Sequence, residues 1–198
     1  MILYRHTAFK GGDMSRRLLI NALEDYCTKK EIISRNQSVS FFLSVSSKGK
    51  PFLKDYPHVH FSISHSGSLW FCGVQEQPLG IDIEARSEND DSEEKQAKQL
   101  DRFMKISGRF FAEQEQDFVR HHGEAGFYEV WVRKEAFIKC RGTGISEVLS
   151  SFSVITDNQP AEMVRHLHLE EISLAQMAYG AYCSSIPMAM EDLISLEA

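Results

Sequence analysis

Three consecutive segments in the middle of the chain have the composition of strands, the first with strict alternation of apolar and polar residues, and only brief turns separate them. They read HFSIS at 60–64, LWFCGVQ at 69–75 and LGIDIEA at 79–85. Alternation of this kind has the two-residue period of a strand, and the Ser-Gly and Gln-Pro pairs between the segments favour turns. The pattern predicts a β-meander, so the fold has to be built around an antiparallel sheet.

Helical periodicity dominates on both sides of this region. Apolar residues recur at helical spacing in four segments, at 14–27, 93–106, 113–121 and 124–140. Further strand candidates lie at 41–45, 151–156 and 177–183. The acidic run at 86–94 is typical of a solvated loop. We therefore expect an α/β (α+β) fold with an N-terminal half at 1–86 and a C-terminal half at 87–198.

Charge and composition exclude several classes of function. The 198 residues carry a formal net charge of −6, which argues against nonspecific nucleic-acid binding. No apolar stretch approaches the length of a membrane span, and the N-terminal residues lack the apolar core of a signal peptide. The four cysteines form no CxxC pair, which is typical of reduced thiols. We expect a cytoplasmic protein that binds neither membrane nor nucleic acid.

Two carboxylates share one face of the third strand candidate. Because side chains alternate along a strand, Asp82 and Glu84 point to one side, and Ile81 and Ile83 point to the other. Paired carboxylates are well suited to a hard cation such as Mg²⁺. For this pair taken alone, an ordinary strand with charged, outward-facing residues is the alternative.

A third carboxylate lies on the longest helix candidate, in WVRKEAFIK at 131–139. At about 100° per residue, Trp131, Glu135 and Lys139 fall on one side of the helix. Glu135 and Lys139 can form an ordinary solvated i,i+4 ion pair. The apolar residues of the same helix make it a core element, so we expect part of the charged side to face a cleft.

A polar turn and scattered basic residues are candidates for phosphate binding. In Ser64-His65-Ser66, adjacent side chains on an extended chain point apart, which argues against a nucleophilic Ser–His pair. Hydroxyls, an imidazole and backbone N–H groups in one turn suit phosphate recognition, although an ordinary polar turn has the same composition. Arg17 and Lys50, each taken alone, are equally typical of surface charges.

Together these motifs resemble those of one family, the 4′-phosphopantetheinyl transferases, in its larger Sfp-like branch. The shared elements occur in family order: a GKP turn at 49–51, Ser-His-Ser at 64–66, GIDIE at 80–84 and the W-x-x-K-E helix at 131–139. The aromatic segment at 109–111 also resembles one that the family carries between the last two motifs. The match covers residues 16–156.

The resemblance implies both a fold and a reaction. The fold has two similar α/β halves related by a pseudo-twofold axis, meeting near residue 86, with coenzyme A in the cleft between them. The reaction moves 4′-phosphopantetheine from coenzyme A to a serine of an apo acyl or peptidyl carrier protein and releases 3′,5′-ADP, as in a holo-[acyl-carrier-protein] synthase. Because both halves lie in one chain, a monomer is sufficient.

The resemblance also implies roles for individual residues. The metal-binding carboxylates match Asp82, Glu84 and Glu135, which would hold Mg²⁺ or, in its place, Mn²⁺. The positions near coenzyme A match Arg17, Lys50, Ser64, His65, Lys134 and Lys139. In catalysis, Asp82 would act through the metal and Lys139 would stabilise the leaving phosphate. Glu135, directly or through a metal-bound water, is our candidate for taking the proton of the attacking serine.

One region departs from the family pattern. Larger members carry a longer basic segment before the first helix, which helps to hold the 3′-phosphate of coenzyme A. Here only thirteen residues precede Met14. Arg5, His6 and Lys10 are the candidates to replace that segment, and the expected consequence concerns affinity for coenzyme A more than the chemistry.

The carrier protein requires a docking surface of its own. We predict an apolar patch edged with basic groups, made of Arg102, Phe103, Met104, Lys105, Phe110, Phe111 and Arg120. The alternative is that its aromatic residues belong to the core. Two other functions stay open: a Mg²⁺-dependent phosphodiesterase or nucleotidase, and an inactive homologue that binds coenzyme A or the carrier without chemistry.

Overall fold

The helices and strands form a mixed α+β fold, as predicted. The computed structural model describes residues 1–34, 39–86, 93–144 and 149–197, so that part of the predicted loop at 86–94 lies outside the described residues. The described helices are α1 Met14–Lys29, α2 Glu93–Phe110 and α3 Glu113–Arg141. None of them is long and apolar enough to cross a membrane.

The strands are short, and most belong to two sheets. In chain order they are β1 Ile2–His6, β2 Leu43–Val45, β3 Pro51–Leu53, β4 His60–Ser66, β5 Leu69–Gln75, β6 Leu79–Ala85, β7 Ile155–Thr156, β8 Gln159–Pro160, β9 Met163–Val164, β10 Leu167–Glu171, β11 Ala178–Ser184 and β12 Asp192–Ser195. The first sheet has the order β12-β1-β5-β4, and the second has the order β6-β11-β10-β9. The pairs β2–β3 and β7–β8 form separate hairpins.

The predicted meander is correct for two of its three strands. β4 and β5 pair antiparallel, but β6 pairs antiparallel with β11 in the second sheet. Residues 79–83 are all buried, so β6 is covered on both faces at the junction of the two sheets. Local alternation of apolar residues specifies a strand, but it does not specify which strand becomes its partner.

Gly80 allows β6 to approach α3 closely. A Cβ atom at this position would lie 2.0 Å from the carbonyl oxygen of Ala136 and 2.4 Å from the backbone nitrogen of Cys140. Such distances are far inside van der Waals contact, so packing alone requires glycine here. The close approach brings the α3 motif beside Asp82 and Glu84.

Three buried apolar clusters hold the elements together. α1 packs on the first sheet through Leu18, Leu19, Ala22, Leu23 and Tyr26. α3 packs with the second sheet through Phe127, Val130, Phe137, Leu169 and Ala181. The third cluster joins strands of both sheets through Leu3, Phe71, Ile81, Ile83 and Tyr182. This last cluster fixes the two sheets relative to each other.

α3 is a single helix with one local break. Its first turn is capped by Glu115, whose Oε2 accepts a hydrogen bond from the backbone N–H of Ala112 at 2.7 Å. Gly123 has non-helical dihedral angles, φ 61° and ψ −134°, at the gap between the two helices predicted there. Gly142 ends the helix in the left-handed conformation, φ 63°, as its sequence position predicts.

Sheet membership does not follow the boundary expected near residue 86. β6 precedes that point and yet belongs to the second sheet, and β12 returns to pair parallel with β1 in the first sheet. Strand pairing therefore crosses the expected boundary in both directions. The division into halves at 1–86 and 87–198, and their pseudo-twofold relation, stay predictions.

Candidate active site

A cavity of about 570 Å³ opens beside the junction of the two sheets. Its walls come from the turn before β3, from β4, from the end of α2 and from α3, and include Lys50, Pro51, Phe61, Arg109, Glu135 and Lys139. Three of the predicted site residues, Lys50, Glu135 and Lys139, therefore line one cavity. Its volume lies in the range of small-molecule binding sites.

Asp82 is a buried carboxylate with one oxygen unpartnered. Its side chain on β6 is turned toward β4 and α3, where Oδ1 accepts hydrogen bonds from Ser64 Oγ at 2.7 Å and from Lys139 Nζ at 2.6 Å. Oδ2 is buried and has no partner. Burial raises the pKa of Asp82, and the Lys139 ammonium opposes that rise. A buried, unpartnered carboxylate oxygen is costly, which makes it a candidate cation ligand.

Lys139 connects this carboxylate to the cavity. Its Nζ also donates to the carbonyl oxygen of Ile63 at 3.3 Å, so the side chain crosses from α3 to both β4 and β6. The side chain is 30% exposed and lines the cavity. Lys139 is therefore both the counter-ion of Asp82 and a residue of the cavity wall.

Glu135 stands on the same side of α3, one turn before Lys139. It is half-buried and lines the cavity. Burial raises the pKa of its carboxyl, and so do the charges of Asp82 and, more weakly, Glu84. A carboxylate with a raised pKa is a better proton acceptor than an ordinary one.

The three predicted metal-binding carboxylates do not form a ligand cluster in this conformation. Glu84 is half-buried, and its Oε2 accepts a hydrogen bond from Ser66 Oγ at 2.7 Å. Across the residues that the structure describes, no three His, Cys, Asp or Glu side chains lie close enough together to hold a metal ion. Acidic groups therefore lie in one region of the molecule, but in this conformation they are not close enough together to coordinate one ion.

The predicted phosphate-binding residues are only partly brought together. Lys50 is half-buried, and its Nζ donates to the carbonyl oxygens of Leu79 at 3.0 Å and Cys140 at 3.1 Å. Burial lowers the pKa of Lys50. The hydroxyl proton of Ser64 is directed at Asp82, so in this conformation it is not free for a phosphate.

The remaining basic candidates lie elsewhere. His65 is exposed and its ring packs on Phe9, with centroids 5.1 Å apart. Arg17 is exposed on α1. Neither belongs to the described residues that line the cavity. Arg5 and His6, two of the basic candidates before the first helix, contact the C-terminal residues Ser195 and Leu196.

Lys134 is a core residue rather than a cavity residue. Its side chain is 1% exposed, and Nζ forms an ion pair with Glu115 at 2.8 Å. The same ammonium donates to the carbonyl oxygens of Leu149 at 2.7 Å and Phe152 at 2.8 Å. Burial lowers its pKa, and Glu115 opposes that change. An ammonium has three donors, so none is left here for coenzyme A.

Some residues of the predicted docking patch are buried and others are exposed. Phe103 and Phe111 are 5% and 2% exposed, because both stack on Phe127 within the core. The prediction that these two rings form a surface patch is wrong, and the core alternative is correct. Arg102 and Lys105 on α2 are exposed as expected.

Sequence reasoning missed the role of the serines on β4. Ser62, Ser64 and Ser66 occupy alternate positions of that strand, opposite the strand that carries Asp82 and Glu84 at alternate positions. The serines and the carboxylates both recur at every second residue, and this shared period was the sequence signal for their contact. It becomes interpretable only when β4 and β6 are known to face each other.

Comparison with known proteins identifies the family of the chain. A sequence model of the 4′-phosphopantetheinyl transferase superfamily matches residues 78–186, which is more than half of the chain. The matched range includes β6, α2, α3 and the second sheet. The chain belongs to the 4′-phosphopantetheinyl transferase superfamily. Within it, the similarity is to the Sfp-like members, as the sequence motifs predict.

Three relatives illustrate how far the similarity extends. The 4′-phosphopantetheinyl transferase psf-1 of Bacillus pumilus is 42% identical over 155 residues, or 73% of this chain and 61% of the relative. Sfp of Bacillus subtilis (strain 168) is 36% identical over 132 residues, or 63% and 53%. The gsp protein of Aneurinibacillus migulanus is 35% identical over 153 residues, or 73% and 58%. The chain thus spans between 53% and 61% of these relatives.

Proposed function

We propose that this chain transfers 4′-phosphopantetheine from coenzyme A to a serine hydroxyl of an apo acyl or peptidyl carrier protein and releases 3′,5′-ADP. The observation that carries the proposal is the buried Asp82, with its unpartnered oxygen, beside Lys139 and Glu135 at a cavity of ligand size. Membership of the superfamily supports the same class of reaction.

The donor atoms are of the kind that a hard divalent cation takes, although the three carboxylates are not gathered around one point in this conformation of the described residues. Asp82, Glu84 and Glu135 offer carboxylate oxygens, which Mg²⁺ and Mn²⁺ prefer as ligands. Asp82 Oδ2 is already buried without a hydrogen-bond partner, as expected of an oxygen reserved for a cation. When bound, the cation supplies charge neutralisation at the pyrophosphate of coenzyme A.

Lys139 and Glu135 contribute the remaining chemistry. Phosphoryl transfer depends mainly on positioning and on neutralising charge. The ammonium of Lys139 reaches the cavity and stabilises the charge that develops on the departing phosphate. Glu135 lines the same cavity, one helical turn from Lys139, and is the group that accepts the serine proton. Near-normal turnover of a Glu135→Gln variant would contradict that role.

The carrier protein docks on α2 in this proposal. Arg102, Lys105 and Arg109 are exposed and recur at helical spacing, and Arg109 also lines the cavity. Basic residues along one helix suit an acidic carrier, although the whole chain carries a net charge of −6. An Arg102→Glu variant should raise KM for the carrier and leave KM for coenzyme A unchanged. Equal changes in both constants would contradict docking at α2.

Intact-mass spectrometry tests the reaction directly. The protein is incubated with coenzyme A, Mg²⁺ and an apo acyl carrier protein, and the carrier is then weighed. We expect a gain of one phosphopantetheine that is lost with EDTA and with Asp82→Ala. Peptidyl carriers are tested in parallel, because the carrier class is not specified by the site.

Two other outcomes would replace the proposal. Release of 3′,5′-ADP without any gain of carrier mass would indicate a hydrolase built on the same carboxylates. Binding of coenzyme A without turnover on any carrier would indicate an inactive homologue.

A further inference from the structure

β4 and β6 face each other as the edges of two different sheets. Within the described residues these strands share no ladder of backbone hydrogen bonds. Serine hydroxyls of β4 bridge the gap instead. Ser62 Oγ accepts from the backbone N–H of Ile81 at 3.0 Å, and Ser64 Oγ accepts from that of Ile83 at 3.1 Å. The strand that carries the carboxylates is therefore held by side chains of β4.

Two of these hydroxyls also hold a carboxylate each. Ser64 Oγ donates to Asp82 Oδ1 at 2.7 Å, and Ser66 Oγ donates to Glu84 Oε2 at 2.7 Å. A serine hydroxyl has one proton, so each contact fixes the direction in which that proton points. Each serine therefore contacts one oxygen of its carboxylate, and the second oxygen makes no contact with that serine.

We propose that Ser64 and Ser66 are positioning residues, which orient Asp82 and Glu84 across the junction of the sheets so that their second oxygens face a common cation. The inference rests on the proposed function, because it takes those carboxylates as the cation's ligands. Neighbours that hold a metal ligand in orientation usually affect affinity about 10- to 100-fold when removed.

A Ser66 variant isolates the contact with a carboxylate, and a Ser62 variant is the matched control. Ser66 contacts only a carboxylate in this set of hydrogen bonds, whereas Ser62 contacts only a backbone N–H. Ser62→Ala should therefore lower stability, because it leaves a buried donor without a partner. Because Ser62 touches neither carboxylate, the hydroxyl contacts to Asp82 and Glu84 stay in place.

The experiment is a calorimetric titration of the full chain with Mn²⁺ alone, without coenzyme A or carrier. Ser66→Ala should raise the Kd for Mn²⁺ about 10- to 100-fold, and Ser66→Thr should restore it. Ser62→Ala should keep the wild-type Kd, while urea unfolding shows its loss of stability. Glu84→Ala serves as the reference for a missing ligand.

Three results would overturn the inference: a wild-type Kd for Ser66→Ala, equal weakening by Ser62→Ala and Ser66→Ala, or no Mn²⁺ binding by the wild-type chain. The last result would also remove the metal site from the proposed function. If Mn²⁺ binds with the expected pattern but no carrier gains mass, the positioning role stands and the proposed transfer fails.

Discussion

Two lysine–carboxylate ion pairs on α3 differ in almost every physical respect. The core pair, Lys134 with Glu115, has an N–O distance of 2.8 Å, and its side chains are 1% and 0% exposed. The cavity pair, Lys139 with Asp82, has a distance of 2.6 Å, and its side chains are 30% and 7% exposed. Both lysines belong to the same nine-residue motif at 131–139.

The two pairs also differ in how completely their hydrogen-bonding groups are satisfied. In the core pair, Glu115 accepts from the backbone N–H groups of Ala112 and Val154 as well as from Lys134. In the cavity pair, Asp82 Oδ2 has no partner. The first arrangement needs nothing more, whereas the second has an open ligand position. A structural ion pair thus has hydrogen-bond partners on both carboxylate oxygens, whereas the pair that is available for chemistry leaves one carboxylate oxygen without a partner.

The largest expected effect comes from breaking the core pair. Lys134→Met leaves the Glu115 carboxylate buried without its counter-ion, and removal of one partner of a buried pair costs about 3–5 kcal/mol. The free energy of unfolding, measured by urea denaturation, should fall by that amount. A double variant, Glu115→Gln with Lys134→Met, removes both charges and should recover part of the loss. A loss below that of an exposed ion pair would contradict the structural role of Lys134.

Breaking the cavity pair should change turnover more than stability. Lys139→Met removes a cation from the reacting phosphate, and loss of one such group typically lowers kcat about 100- to 1000-fold. The free energy of unfolding should fall by less than in Lys134→Met, because Asp82 loses its counter-ion but the lysine of this pair is partly exposed. The initial rate of carrier modification and urea denaturation, measured on the same preparation, check the two values. Equal turnover in the variant and the wild type would contradict the assignment.

Gly80 tests the close packing of β6 against α3, which brings Asp82 to Lys139. Gly80→Ala places a Cβ against the α3 backbone, and overpacking of this kind costs about 1–3 kcal/mol in unfolding free energy. Gly108→Ala is the control, because a Cβ there meets nothing within 4 Å. Alanine should stabilise α2 at that position by about 1 kcal/mol or less. Similar signs for the two variants would contradict the packing argument.

The smallest effect is a pH dependence of the cavity pair. Burial raises the pKa of Asp82 and Lys139 opposes the rise. A folded state that binds a proton more tightly than the unfolded state loses stability as pH rises from the ordinary carboxyl pKa through the raised one. Lys139→Met should extend this loss to higher pH, by about 1.4 kcal/mol for each further unit.

Urea midpoints measured in EDTA across the acidic to neutral range check this dependence. Adding Asp82→Asn to the Lys139→Met variant should reduce the loss of stability with rising pH. The loss that remains comes from Glu135, whose pKa is also raised. Stability that rises with pH over the same range in Lys139→Met would contradict the direction derived for Asp82.

Much of the site could be predicted from periodicity and motif order. The alternation at 79–85 placed Asp82 and Glu84 on one face, and the helical spacing at 131–139 placed Glu135 beside Lys139. The structure has both carboxylates on β6, and Glu135 and Lys139 line one cavity. These are local relations within one strand or one helix, which sequence spacing determines directly.

The contacts that sequence could not supply are those between distant segments. Lys134 looks equivalent to Lys139 until Glu115 and the carbonyl groups of 149–152 are seen around it. The same limit applies to β6, whose partner β11 lies far along the chain, and to Ser66, whose role depends on a strand in another sheet. Periodicity describes one element at a time and carries no information about its neighbours.

The most direct test of the account compares the two pairs by the rate at which an apo carrier gains phosphopantetheine mass, expressed per folded enzyme molecule. We expect wild-type turnover for the Glu115→Gln/Lys134→Met variant and a loss of about 100- to 1000-fold for Lys139→Met. Equal losses in the two variants, at equal folded fraction, would contradict the division between a structural and a catalytic lysine.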